Sequence, residues 1–201
     1  MAIALRGTAT TTIGTSNIAA PSGLVTGDFL LAAGMSTGAM TTPAGWTQVR
    51  AFEVGTVNLW VGYLFWASGS SWTLTGSAIT TCTAYSGVDP TTPLTAENGA
   101  SGGGTSTAST PSITNDSGNW LVASFANGGF TYSGYSLSCV ERAEVGNGIN
   151  FDIAAADTNG AGPSGSQAIT ATMGGAIPNA AWIGSLKPAP ISNPGQFFAL
   201  M

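Results

Sequence analysis

Gly27-Asp28-Phe29-Leu30-Leu31-Ala32-Ala33 returns as Gly118-Asn119-Trp120-Leu121-Val122-Ala123-Ser124, 91 residues further along the chain. Glu53-Val54-Gly55 and Glu144-Val145-Gly146 stand at the same spacing, as do Trp60 and Phe151. Glycine, acid or amide, aromatic and apolar classes recur in the same order. A solenoid or propeller blade repeats every 20–50 residues or so, which is much shorter. Each half is also shorter than a typical domain of about 100–150 residues. The repeat therefore predicts one β-sandwich built from two pseudo-equivalent halves.

Outward from the repeat, strand signals dominate. Gly and Thr interrupt every window in which a helix would need apolar residues at three- and four-residue spacing. Asp28 to Gly34 is a continuous apolar run, as in a strand covered on both faces. In Val57 to Phe65, Val57, Leu59, Val61, Tyr63 and Phe65 share one face. Asn58, Trp60, Gly62, Leu64 and Trp66 share the other. Both faces are largely apolar, so one is expected in the core and the other against a neighbour or ligand. Further strands are expected at Ser71–Leu74, Ile79–Tyr85, Trp120–Ala126, Leu137–Val145, 149–155, Gln167–Thr172 and Ala180–Leu186. Short strands with turn signals at this rhythm read as an all-β, jelly-roll-like sandwich.

The sandwich is expected over residues 1–187, with halves of about 1–93 and 105–187. Asn98-Gly99-Ala100-Ser101-Gly102-Gly103-Gly104 reads as a flexible loop between them. Three prolines in Lys187–Gln196 remove backbone donors, so residues 188–201 read as an extended arm. The arm ends in Phe197-Phe198-Ala199-Leu200-Met201, an apolar run that either folds back on its own sandwich or inserts into a neighbouring subunit.

Only 6% of residues are charged, against about 25% in an average soluble protein. The four basic residues, Arg6, Arg50, Arg142 and Lys187, are scattered, and net charge is −5. Neither nucleic acid nor an anionic membrane surface is expected to bind, because both need a cationic footprint. No signal-peptide order opens the chain, and no apolar run reaches the 20 or so residues of a membrane helix.

Chemistry is sparse. With no histidine, the usual Ser or Cys nucleophile lacks its base and zinc loses its commonest ligand. Cys82 and Cys139 read as small apolar residues, with their pairing left open. Carboxylates suited to glycoside hydrolysis are Asp28, Glu53, Asp89, Glu97, Glu141, Glu144, Asp152 and Asp157. Glu53 and Glu144, related by the repeat, read as structural. Asp157-Thr158-Asn159-Gly160 opens like a calcium loop but lacks its later acids, so a side-chain-stabilised turn is expected. No catalytic residue, cofactor or metal is assigned. Trp60 and Trp66 are the candidate ligand or subunit contacts in the sandwich; Phe197, Phe198 and Leu200 are those of the arm.

Three stretches form a set: Pro21-Ser22-Gly23-Leu24-Val25-Thr26-Gly27-Asp28-Phe29-Leu30-Leu31, Pro43-Ala44-Gly45-Trp46-Thr47, and Ala84-Tyr85-Ser86-Gly87-Val88-Asp89-Pro90. The chain in this respect resembles a jelly-roll-like module of tailed-bacteriophage virion proteins, over about residues 1–187. The second half lacks the full Pro-Gly-Trp-Thr motif and has Tyr135-Ser136-Leu137-Ser138 near that place. The resemblance implies a non-enzymatic virion structural protein. A capsid decoration (cement) protein that binds the major capsid protein and copies of itself, as a homotrimer, is expected first. A tail or baseplate adhesin for host glycan is the alternative. It implies no family catalytic residues.

Overall fold

The computed structural model describes residues 1–54, 57–147 and 150–191. The repeat begins at a pair of matching turns. The Asp28 N–H donates to the Val25 carbonyl at 2.9 Å, and the Asn119 N–H to the Asp116 carbonyl at 3.2 Å. Gly27 and Gly118 occupy the third positions with φ of 94° and 91°. Only glycine takes that conformation without strain, which is why the repeat opens on it.

Among the described residues there are strands and no helix. The first half contributes β1 (Ala4–Leu5), β2 (Thr10–Ile13), β3 (Asn17–Ala19), β4 (Phe29–Ser36), β5 (Thr47–Val54), β6 (Val57–Phe65), β7 (Ser71–Thr73) and β8 (Ile79–Ser86). The second contributes β9 (Leu94–Ser109), β10 (Ile113–Asn115), β11 (Trp120–Asn127), β12 (Tyr132–Ser133), β13 (Val140–Gly146), β14 (Asp152–Asp157), β15 (Gly165–Gln167) and β16 (Thr170–Leu186). Each half closes one whole antiparallel sheet. The first runs β8-β4-β6-β5 with β1 and β2 on the outer edge of β8; the second runs β16-β11-β14-β13 with β9 and β12 on β16. The two sheets stack face to face, with β5 over β9 and β13 over β2 and β8. The fold is thus an all-β, jelly-roll-like sandwich of two pseudo-repeated halves.

Side-chain alternation puts equivalent residues of the two halves on equivalent faces. Phe29, Leu31, Ala33 and Met35 point between the sheets, and so do Trp120, Val122 and Ala126 from the other side. The intervening Leu30 and Ala32 point outward into a second cluster, and Leu121, Ala123 and Phe125 into a third. Small antiparallel pairs cover these outer faces: β3 with β7, carrying Ile18 and Trp72, and β10 with β15, carrying Ile113. All eight residues of β4 and all eight of β11 are therefore buried, as the continuous apolar run requires.

The register corrects three expectations. First, the constant spacing does not extend past β11. Leu31 faces Tyr63 and its counterpart Val122 faces Asp157. Trp60, facing Gly34, therefore corresponds to Ala154, which faces Phe125, and not to Phe151. Glu53 likewise corresponds to Gly146 through their partners Asn58 and Asp152, so its match to Glu144 is coincidental.

Second, the supposed inter-half loop is the middle of β9, hydrogen-bonded to β16 from Leu94 to Ser109 with register shifts. Glycine is a poor strand former in isolation, but here its missing side chain is used. A Cβ on Gly99 would stand 1.9 Å from the Phe52 ring of β5. The sheets close along this side because that ring lies against bare backbone. Gly99→Ala is expected to destabilise by about 1–3 kcal/mol through overpacking, read as a lower urea midpoint at unchanged slope. A neutral result would show that Phe52 moves aside freely.

Third, residues 188–191 do not leave the sandwich. Pro188 bridges to Val88, and the Ala189 N–H donates to the Gly87 carbonyl at 2.8 Å.

Candidate functional site

The outward faces of the two sheets carry different chemistry. On the first, Trp60 lies flat along its own strand over Gly62, where a Cβ would come within 2.4 Å of the indole. Its Nε1 donates to Thr42 Oγ1 at 3.0 Å and Gln48 Oε1 at 3.2 Å. Trp46 packs against it in a tilted contact at 6.0 Å and edge-on against Trp72 at 5.4 Å. Trp60 is 0% exposed, so its expected role as a ligand or subunit contact is corrected. Alternation in β6 showed that the second face is apolar; the chain itself covers that face with β3 and β7. Trp66 is half-buried, and its Nε1 donates to the Gly69 carbonyl at 3.0 Å. It shares the apolar cluster but forms no exposed platform with Trp60. Phe197, Phe198 and Leu200 lie outside the described residues.

The second outward face carries acids and tyrosines. Residues 128–139 fold over it, bringing Tyr132 and Tyr135 onto Phe125 with ring centroids 5.7 and 5.9 Å away. The corner equivalent to Pro43–Trp46 is Ser136–Cys139, closed by Cys139 N–H to Ser136 carbonyl at 3.1 Å. Cys139 stands where the first half has Trp46. The bulge after Glu141 sets the register that puts Glu144 beside Asp152 on this face. Asp152 is 4% exposed. Burial first, then the Glu144 charge and a hydrogen bond donated to Glu144, push its carboxyl up to about 8. Glu144 is also raised, chiefly by burial, while the Tyr132 N–H donates to it. A carboxyl raised this far keeps its proton at neutral pH, and Asp152 donates it to Glu144. Tyr135 donates to Glu141 at 3.0 Å. Glycosidase carboxyls stand about 5–9.5 Å apart across an open cleft; a directly hydrogen-bonded pair, with Asp152 buried and Glu144 half-buried, does not fit that geometry.

Asp157, expected as a turn residue, holds that turn and more. The Asn159 N–H donates to its Oδ1 at 2.7 Å. Arg142 grips both oxygens at 2.8 and 2.7 Å, and Tyr85 of the first sheet donates to Oδ2 at 3.0 Å. On the opposite side, Arg50 of β5 grips Glu97 of β9 at 3.1 and 2.6 Å, and Trp182 Nε1 joins at 2.9 Å. With Arg6–Asp28 at 3.0 Å and Lys187–Asp89 at 2.9 Å, every Lys and Arg of the chain is in an ion pair. No cationic patch remains for a partner to read. Cys82 and Cys139 are unpaired. Burial raises both thiols, Cys139 to about 12, so neither is activated as a thiolate.

One end of the sandwich is open. A groove of about 650 Å³ is walled by Met1, Ile3, Trp120, Ala161, Pro190 and Ile191, with glycines and alanines between them. Met1 and Ile191 are 68% and 81% exposed, the highest values among the large apolar residues described, ahead of Val25 at 54% and Ile13 at 53%. The groove is too poor in polar groups to do chemistry and suits an apolar side chain. Sequence reasoning missed it because its walls come from four separated segments.

No protein-family model, characterised protein or solved structure matches the chain. Fold and site together define a capped two-sheet β-sandwich with an apolar groove at one end.

Proposed function

We propose that this chain is a non-enzymatic structural protein of a bacteriophage virion, a capsid decoration protein that binds and stabilises the outer shell. Its partners are the major capsid protein and further copies of itself, as a homotrimer, on the assembled particle. The observation that carries this reading is the end groove, beside the point where the chain runs on toward Phe197-Phe198-Ala199-Leu200-Met201. The motif resemblance of residues 21–31, 43–47 and 84–90 supports it. So does the internal neutralisation of all the cations, which leaves apolar burial and hydrogen bonding as the means of association. Each contact then contributes about 25 cal/mol per Å² of apolar surface buried, multiplied over a symmetric lattice. The alternative, a tail adhesin for glycan, loses its best stacking surface with Trp60 buried.

Residues 188–191 belong to the body, so the informative deletion is 192–201. Mixed with expanded, undecorated capsids, the deleted protein is expected to bind at least tenfold more weakly than the full chain. Unchanged occupancy would remove the arm from the mechanism. Absence of the full chain from heads, seen by electron microscopy of particles, would remove the decoration reading itself.

A further inference from the structure

We infer that Asn159 is a self-modification site, where the Gly160 nitrogen attacks the Asn159 side-chain amide and water then converts the residue to aspartate and isoaspartate. The chain holds four Asn-Gly pairs: Asn98-Gly99, Asn127-Gly128, Asn147-Gly148 and Asn159-Gly160. Asparagine is thermally labile, and a following glycine leaves the attacking nitrogen unhindered. Sequence makes the pairs equivalent; the fold does not.

Asn127 is 0% exposed. Its Nδ2 donates to the Phe130 carbonyl at 2.6 Å, and its Oδ1 accepts from the Gly129 and Phe130 N–H groups at 2.7 Å each. That amide is locked and shielded from water. Asn98 lies in β9, paired with Ile183. The Gly99 N–H donates to its Oδ1 at 2.9 Å, so the nitrogen presents a hydrogen to the amide and not its electron pair. The Phe52 ring against Gly99 leaves this part of the ladder no room to turn. Gly148 lies outside the described residues.

Asn159 differs at each point. It is exposed, in the turn that follows β14. Neither its Nδ2 nor the Gly160 N–H has a hydrogen-bond partner among the described residues. A Cβ on Gly160 would meet nothing within 4 Å, so that side is open to solvent. Arg142 Nη2 donates to Asn159 Oδ1 at 2.6 Å. Asp157 fixes the same guanidinium at 2.8 and 2.7 Å. Arg142 therefore draws electrons from Asn159 Cγ and faces the oxygen that turns negative as the nitrogen adds.

Hydroxide takes the Gly160 amide proton, and the nitrogen's electron pair forms a bond to Asn159 Cγ. The Cγ–Nδ2 bond breaks, and Nδ2 leaves as ammonia with a proton from water. Water then opens the resulting succinimide at either carbonyl, giving aspartate or isoaspartate. One ammonia is released and one water consumed, with no oxidation or reduction. Each event places a new carboxylate beside Arg142, in competition with Asp157. Isoaspartate also lengthens the main chain and displaces the Asn159 N–H that donates to Asp157 Oδ1 at 2.7 Å. Gly160 and Ala161 wall the end groove, so the change falls on its rim. The inference rests on the chain's own chemistry and not on the virion reading.

Ageing of the full chain in mildly alkaline buffer tests it, followed by peptide mass spectrometry and isoaspartate-specific enzymatic methylation. In the folded protein Asn159 is expected to convert about tenfold or more faster than Asn98 or Asn127. In urea the three are expected to convert at similar rates. Equal rates in the folded protein, or slower conversion of Asn159 in the fold than in urea, would overturn the inference. Asn159→Gly accepts the φ of 51° at this position without strain. The unaltered chain is expected to melt lower after ageing, whereas the variant keeps its midpoint. Equal losses in both would overturn the link between this site and the Arg142–Asp157 pair.

Discussion

Asp157→Ala is expected to cost about 3–5 kcal/mol, the usual penalty for leaving one member of a buried ion pair alone. Asp157 is 0% exposed and the Arg142 side chain only 12%. Alanine strands a guanidinium that cannot be neutralised, together with the Tyr85 hydroxyl and the Asn159 N–H. For a chain of this size, the thermal midpoint should fall by roughly 10 °C. Tyr85→Phe removes only the hydroxyl that crosses between the sheets and is expected to cost about 0.5–1.5 kcal/mol. Asp157→Leu with Arg142→Met removes both charges and should cost less than Asp157→Ala alone. Urea denaturation of the three variants checks the order. A loss under 1 kcal/mol for Asp157→Ala would show that the sheets are tied together by apolar packing alone.

This pair also shows where reading the sequence stops. The Asp157 turn is legible, because Asp and Asn with a following Gly are turn chemistry. Its grip on Arg142 is not, because it depends on a bulge that turns the arginine toward the inner side of the sheet. The opening repeat is legible because β4 and β11 are buried on both faces, and two-sided burial makes a continuous apolar run. Trp60 is half legible: alternation assigns it to a second apolar face. What covers that face is hidden, since β3 and β7 are three residues each and too short to show any period. The glycines of β9 mislead for a related reason. Propensity speaks for a residue in isolation, whereas Gly99 is chosen by the Phe52 ring lying against it.

The carboxyl pair on the second sheet yields the other large effect, a loss of stability with rising pH. Asp152 has an ordinary carboxyl value of 3.8 in the unfolded chain and about 8 in the fold. Between those values the folded state holds a proton that the unfolded state has released. Stability therefore falls as pH rises through this window, by up to about 1.4 kcal/mol per pH unit, and levels off above about pH 8. The groups around the pair are Glu141 and Glu144 on β13 and Tyr132 and Tyr135 from the covering segment. No cation lies among them to relieve the second charge, since Arg142 is committed to Asp157. Asp89 works the other way: its hydrogen bond to Lys187 lowers its carboxyl, and that stability is lost only below the ordinary carboxyl range. The two windows do not overlap. Asp152→Asn keeps a donor toward Glu144 and carries no charge at any pH. Its melting midpoint is expected to stay level from pH 5 to pH 9 while that of the unaltered chain falls, so that the variant is the more stable at pH 9. Parallel curves for the two proteins would mean that Asp152 does not keep its proton in the fold.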